Sequence, residues 1–188
     1  VDKPHKHLDK PAQGLNCSIR FDRCSCPELR MPLEIERKFL VTGEAWRGAW
    51  PVLPIRQGYL TTGDAATVRV RIAGERAYLT IKSERGGPTR AEYEYEIPLE
   101  HAAEMLPLCH QPVIEKRRHA VPFDGRVWQV DEFAGANAGL VLAEIELDRP
   151  DRRLALPPWA GPEVTADLRY RNAYLARRPY TTWRTVAA

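Results

Sequence analysis

From residue 33 onward, apolar and charged positions alternate in short runs. In "LEIERKFLV" (33–41), Glu34, Glu36 and Lys38 fall on every second position, with Ile35, Arg37 and Phe39 between them. A strand would put the first three on one face and the others on the opposite face. The same period predicts strands over 33–41, 54–62, 66–73, 76–83, 90–98, 113–122, 126–134 and 139–148. Turn chemistry separates several of them, at "TTGD" (61–64), "AGE" (73–75), "RGGPT" (85–89) and "DG" (124–125). Helices are expected at 43–50, at 100–108, and at 165–178 with Thr165 as N-cap. Residues 1–30 lack any period and read as a flexible or non-native extension ahead of one domain over 31–188.

The polar faces are unusual as a set, because their signs are segregated. Arg69 and Arg71 share one face, and Lys116 and Arg118 another. Glu92, Glu94 and Glu96 share a third face, and Glu144 and Glu146 a fourth. Tyr78, Thr80 and Lys82 line the same side of 76–83. One antiparallel strand with a wet face is routine. An idle surface, however, gains by mixing signs across neighbouring strands. Segregation makes sense if the faces converge on something carrying both charges, such as a polyphosphate and its metal. The expected fold is therefore mainly β (α+β). It is an eight-stranded antiparallel β-barrel, or tunnel, with a charged interior and helices packed outside. A transmembrane barrel would also be polar inside, but Arg37, Glu115 and Arg117 would then face lipid.

Composition narrows the functional classes. The 188 residues carry a net charge of only +3, and the first 30 supply +2 of it. Nucleic acid is not expected as a partner on that balance. No apolar run approaches a membrane span, so no membrane partner is expected and a cytoplasmic location is the default. Cys17, Cys24 and Cys26, with His5 and His7, fit no familiar zinc spacing, and Cys109 reads as a small buried residue.

The ordered motifs resemble the CYTH family, also called triphosphate tunnel metalloenzymes. Glu34-x-Glu36-x-Lys38 matches its ExExK signature, followed by "RQGYLTT" (56–62), "VRVR" (68–71), "LTIKSE" (79–84) and "EYE" (92–94). "EKRR" (115–118), "VDEFAG" (130–135), "LAEIEL" (142–147) and "EVTADLRYRNAYLA" (163–176) complete the series. The tail at 157–172 is most similar to the short bacterial branch, whose characterised members hydrolyse inorganic tripolyphosphate. Family members begin almost directly at ExExK, and Glu96 is no part of the motif, so residues 1–30 and Glu96 stand outside the resemblance.

The resemblance implies a metal-dependent hydrolase that converts triphosphate to pyrophosphate and phosphate, with Mg²⁺ or Mn²⁺. It implies phosphate contacts from Lys38, Arg69, Arg71, Lys82, Lys116 and Arg118. Metal ligation falls first to Glu34, Glu36 and Glu146, and second to Glu92, Glu94 and Glu144, which fit another metal or water activation. Glu144, Glu146 and Lys38 are the expected catalytic groups. Asp131 fits either the tunnel wall or an ion pair, and Tyr59 either substrate contact or packing. Arg169, Tyr170 and Asn172 would dock or plug one tunnel end. A class IV adenylate cyclase, a thiamine triphosphatase and a non-catalytic polyphosphate binder share the same cage. The expected assembly is a monomer or a homodimer.

Overall fold

A computed structural model describes residues 35–62, 66–83, 92–149 and 152–183. The expectations for residues 1–34, Glu34 included, for the 85–89 turn and for part of the 61–64 turn lie outside the described residues.

All eight expected strands form. They are β1 (Ile35–Val41), β2 (Val52–Thr62), β3 (Ala66–Ala73), β4 (Arg76–Ser83), β5 (Glu92–Ile97), β6 (Ile114–Phe123), β7 (Arg126–Ala134) and β8 (Val141–Leu147). A short ninth, β9 (Ala160–Glu163), joins them in one antiparallel sheet of order β5-β4-β3-β2-β6-β7-β8-β1-β9. The β6–β7 hairpin closes through Asp124 and Gly125, with φ of 49° and 69°. Both central residues are left-handed, as in the type I′ turn that Asp-Gly favours.

Closure into an eight-stranded tunnel was expected, but among the described residues the sheet stays open, with β5 and β9 at its edges. The reason lies in β1. Its outer edge is taken by β9 and the residues just after it: Phe39 registers with Glu163, Val41 with Ala160, and the Val164 amide donates to the Lys38 carbonyl at 2.8 Å. That edge has few groups left to pair with β5. "AGPE" carries no alternating pattern, so β9 was not legible as a strand.

The ladder registers carry the charged faces across the sheet. Lys38 lies opposite Glu144, Arg118 opposite Asp131, and Lys116 opposite Ile55. Tyr59 lies opposite Arg69, Gln57 opposite Arg71, and Thr80 opposite both Arg69 and Glu94. These side chains share one face. The other face buries two apolar clusters. One gathers Phe39, Trp46, Trp128, Val130, Ile145 and Trp159. The other gathers Val70, Ala77, Ala102, Leu106 and Cys109 beneath α1 (Leu99–Met105) and a 3-10 turn (Leu106–Leu108). Gly58 is required there, because a Cβ on it would sit 2.6 Å from the Cys109 Cβ.

Two helix expectations are corrected. Residues 43–50 form turns, because Gly43 has a φ of 67° at one end and Pro51, which disfavours helical backbone in the residue before it, follows at the other. Trp46 is nevertheless buried, and its carbonyl accepts from the Trp50 indole at 2.9 Å. The 165–178 segment divides into a 3-10 turn (Leu168–Tyr170) and α2 (Asn172–Arg177), with Arg171 extended between them. Thr165 is not the cap. Asp167 fills that role by accepting from the Arg169 amide. α2 sends Leu175 and Ala176 into a third cluster with Tyr59, Ile114, Phe133, Leu140 and Leu142, and so covers one end of the charged face.

Candidate active site

The sheet curls around its charged face. Adjacent strands lie about 4.8 Å apart, so the four steps from β2 to β1 would span roughly 19 Å if flat. Yet Tyr59 on β2 buries into one cluster with Ile114, Phe133 and Leu142 of β6, β7 and β8, and Leu40 of β1 packs against it. The groove therefore has two walls, with Gln57 and Tyr59 on its floor.

The first wall comes from β1, β8, β7 and β6. The Lys38 ammonium sits 2.8 Å from Glu36 and 2.7 Å from Glu144. Glu144 also accepts from Arg118 at 3.0 Å. Arg118 forks onto both oxygens of Asp131, each at 2.7 Å, and Lys116 reaches Asp131 at 2.5 Å. Asp131 is fully buried, and Lys116 and Glu144 are nearly so. Burial opposes ionisation of Asp131, but the charges of Lys116 and Arg118 overcome it and hold the carboxyl below its usual range. Burial likewise opposes charge on Glu144, and Lys38 leads the cations that hold it low. For Lys38 burial works against the ammonium, while Glu144 and Glu36 outweigh it and push its pKa up.

The second wall comes from β3, β4 and β5. Glu94 accepts from Arg69 at 3.1 Å, from Arg71 at 3.0 Å and from the Thr80 hydroxyl at 2.8 Å. Thr80 also accepts from Arg69 at 3.0 Å. Lys82 pairs with Glu92 at 2.7 Å. Burial, followed by the like charges of Arg69 and Arg118, pulls the Arg71 pKa down. The Nε groups of Arg69 and Arg71 are buried, and neither has a hydrogen-bond partner among the described residues. On the floor, the Gln57 amide donates to the Tyr59 hydroxyl at 3.2 Å. Burial pushes that hydroxyl up to about 12, against the pull of Arg69 and Lys38.

A groove lined by paired cations and carboxylates, with guanidinium donors still open, is suited to a polyanion. The CYTH domain family matches residues 32–180. The chain belongs to the CYTH family. It is 46% identical over 155 residues to the inorganic triphosphatase of Acetivibrio thermocellus, covering 82% of this chain and 99% of that protein. It is 42% identical over 147 residues to the inorganic triphosphatase of Nitrosomonas europaea, covering 76% and 96%. The crystal structure of the inorganic triphosphatase NE1496 superimposes with a TM-score of 0.60 at 38% identity, covering 76% of this chain and 93% of that one.

Against this CYTH frame the expected site residues divide. Lys38, Glu36, Glu144, Lys116 and Arg118 gather on the first wall, and Arg69, Arg71, Lys82, Glu92 and Glu94 on the second. Glu92 and Glu94 pair with cations of β3 and β4, whereas Glu144 pairs with Lys38 and Arg118, so these three carboxylates do not form one cluster. Among the described residues no group of three or more His, Cys, Asp or Glu side chains is arranged to hold a metal. Glu146 lies exposed, opposite Glu36 in the β1–β8 register. Glu96 pairs with Arg76 at 2.5 Å, and both side chains are exposed.

Asp131 is the hub of the first wall's ion pairs, and Arg169 pairs with Asp167 at 2.6 Å on the surface. The covering of the groove end falls to Leu175 and Ala176, with Tyr170 packed against their cluster. Gln57 and Thr80 were missed as site residues. Both are uncharged; Thr80 stands two positions from Lys82 in the alternation, whereas Gln57, between Ile55 and Tyr59, meets a charge only across the ladder at Arg71.

Proposed function

We propose that this CYTH chain is an inorganic triphosphatase, hydrolysing tripolyphosphate to pyrophosphate and orthophosphate with Mg²⁺ or Mn²⁺. The observation that carries this reading is the pair of buried guanidinium Nε donors, Arg69 and Arg71, left open inside a groove that six cations line. A buried donor without an acceptor is costly, and phosphate oxygens are the acceptors that a guanidinium fork matches. The two triphosphatase relatives, which this chain matches over nearly their whole length, support the same substrate.

The carboxylates suit a hard divalent cation. Glu36 and Glu146 face each other across the β1–β8 ladder, where like charges directly opposite are unfavourable. Glu146 has no ion-pair partner among the described residues, in contrast to Glu144. Glu36 and Glu146 would therefore hold the metal, joined by Glu34 in the ExExK motif. When bound, the metal supplies charge neutralisation and orientation of phosphate oxygens.

The side chains do the rest by placement. Arg69, Arg71 and Lys82 hold the chain of phosphates from one wall, and Lys38, Lys116 and Arg118 from the other. Water oxygen attacks the terminal phosphorus in line. The bridging P–O bond breaks, and pyrophosphate leaves with its electron pair. The water proton ends on the orthophosphate. Glu144, with both oxygens engaged and its pKa held low, is better suited to fix Lys38 and Arg118 than to accept that proton.

The test is phosphate release with Mg²⁺ or Mn²⁺ from tripolyphosphate, ATP, thiamine triphosphate and pyrophosphate. Tripolyphosphate is expected to turn over fastest. Cyclic AMP from ATP without phosphate release from tripolyphosphate would overturn the reading. Tight binding of tripolyphosphate without turnover in either metal would make the protein a binding module.

A further inference from the structure

We infer that Thr165, oriented by Glu163, is a positioning residue for Lys38, its side chain completing the sheet edge at the lysine that faces the substrate. The inference rests on the proposed triphosphatase reading.

The backbone groups of Lys38 both turn away from β8. Its amide donates to the Thr165 hydroxyl oxygen at 2.9 Å, and its carbonyl accepts from the Val164 amide at 2.8 Å. The Lys38–Glu144 pair is therefore a non-hydrogen-bonded pair of the β1–β8 ladder, the kind whose side chains stand closest. That closeness is what sets the ammonium 2.7 Å from Glu144. In a regular ladder a β9 carbonyl would receive the Lys38 amide. Here β9 ends at Glu163, and a side-chain hydroxyl takes the carbonyl's place.

The hydroxyl is itself aimed. Its proton goes to Glu163 Oε1 at 2.7 Å, which leaves a lone pair for the Lys38 amide. Glu163 is in turn held by Arg37, with Nε at 3.0 Å and Nη2 at 2.5 Å from its two oxygens. Arg37 neighbours Lys38 in sequence but points to the opposite face. The chain of contacts therefore runs Arg37, Glu163, Thr165, Lys38 and returns to its own strand. It fixes the lysine's backbone without any of the first three entering the groove. A valine at 165 keeps the shape and loses the acceptor. A serine keeps the acceptor.

The experiment compares wild type, Thr165→Val, Thr165→Ser and Glu163→Gln for tripolyphosphate hydrolysis with Mg²⁺, thermal midpoint, and amide hydrogen exchange at Lys38. Thr165→Val is expected to lower kcat about tenfold, the size of one lost net hydrogen bond, with KM less affected. It should also speed Lys38 exchange, and Thr165→Ser should restore both. If Thr165→Val does not fold, Glu163→Gln carries the test: it leaves the hydroxyl and loses the Arg37 ion pair, and a several-fold fall in kcat is expected. Wild-type kcat and unchanged Lys38 exchange in the folded variants would overturn the inference while leaving the triphosphatase reading intact. A fall in thermal midpoint with kcat unchanged would make the contact structural only and would also overturn it. Absence of turnover in wild type would fail the functional reading first, and the positioning role would fall with it.

Discussion

Asp131 shows how much of the groove depends on single buried charges. It receives Lys116 and two branches of Arg118 while fully buried. Removing one partner of a buried ion pair leaves an uncompensated charge, a loss of about 3–5 kcal/mol. Asp131→Asn is therefore expected to lower stability by that order in denaturant unfolding, with activity reduced through misplacement of Lys116 and Arg118. The pH dependence follows from the direction of the shift. The folded-state pKa is held below the unfolded value, so the contribution is present above roughly pH 4 and is lost as pH falls through the depressed value. Acid unfolding of the wild type should steepen below that point, and Asp131→Asn should flatten the profile. An unchanged profile would mean that Asp131 does not carry the acid sensitivity. On the opposite wall, Arg71→Met removes an open donor and a cation together. It should raise KM for tripolyphosphate at least tenfold, measured by initial rates across substrate concentration.

At the scale of elements, the alternation read the strands and misread what lies between them. Lys38 and Glu144 announced their faces through their neighbours two positions away. The register that makes them partners needed the ladder itself. Residues 43–50 form turns where a helix was expected, and Trp46 and Trp50 stand four apart within them. In the structure that spacing lets the Trp50 indole reach the Trp46 carbonyl within a turn. Thr165 was expected to cap a helix over 165–178, but its partner, Lys38, is 127 positions away. No local pattern reports a contact of that separation. Gly58 was equally silent within "RQGYL", and only the 109 segment packed over it explains the glycine. Gly58→Ala is expected to destabilise by about 1–3 kcal/mol through the clash with Cys109, read as a lower denaturant midpoint at unchanged m-value. Cys109→Ala in that background removes the Sγ contact at 2.8 Å but keeps the Cβ contact, so it should recover only part of the loss.

At the scale of the domain, sign segregation along the chain becomes two walls facing one groove. β3 supplies cations and β5 the carboxylates that hold them, while β6 and β8 repeat the arrangement across the curl. The apolar faces lie outside, under α1 and the Trp46 and Trp159 segments, and α2 covers one end of the charged face. The closed tunnel was the part of the architecture the alternation could not decide. Closure depends on which strand takes the free edge of β1, and the answer was a four-residue strand containing Gly161 and Pro162. Among the described residues no helix is long and apolar enough to cross a membrane. The central claim is that water attacks the terminal phosphorus of inorganic tripolyphosphate in this groove. A ³¹P NMR time course of tripolyphosphate with Mg²⁺ in ¹⁸O-labelled water tests it most directly. The account predicts loss of the tripolyphosphate signals, matched by equal amounts of pyrophosphate and orthophosphate, with the label in the orthophosphate alone. Persistence of tripolyphosphate, or label in the pyrophosphate, would contradict it.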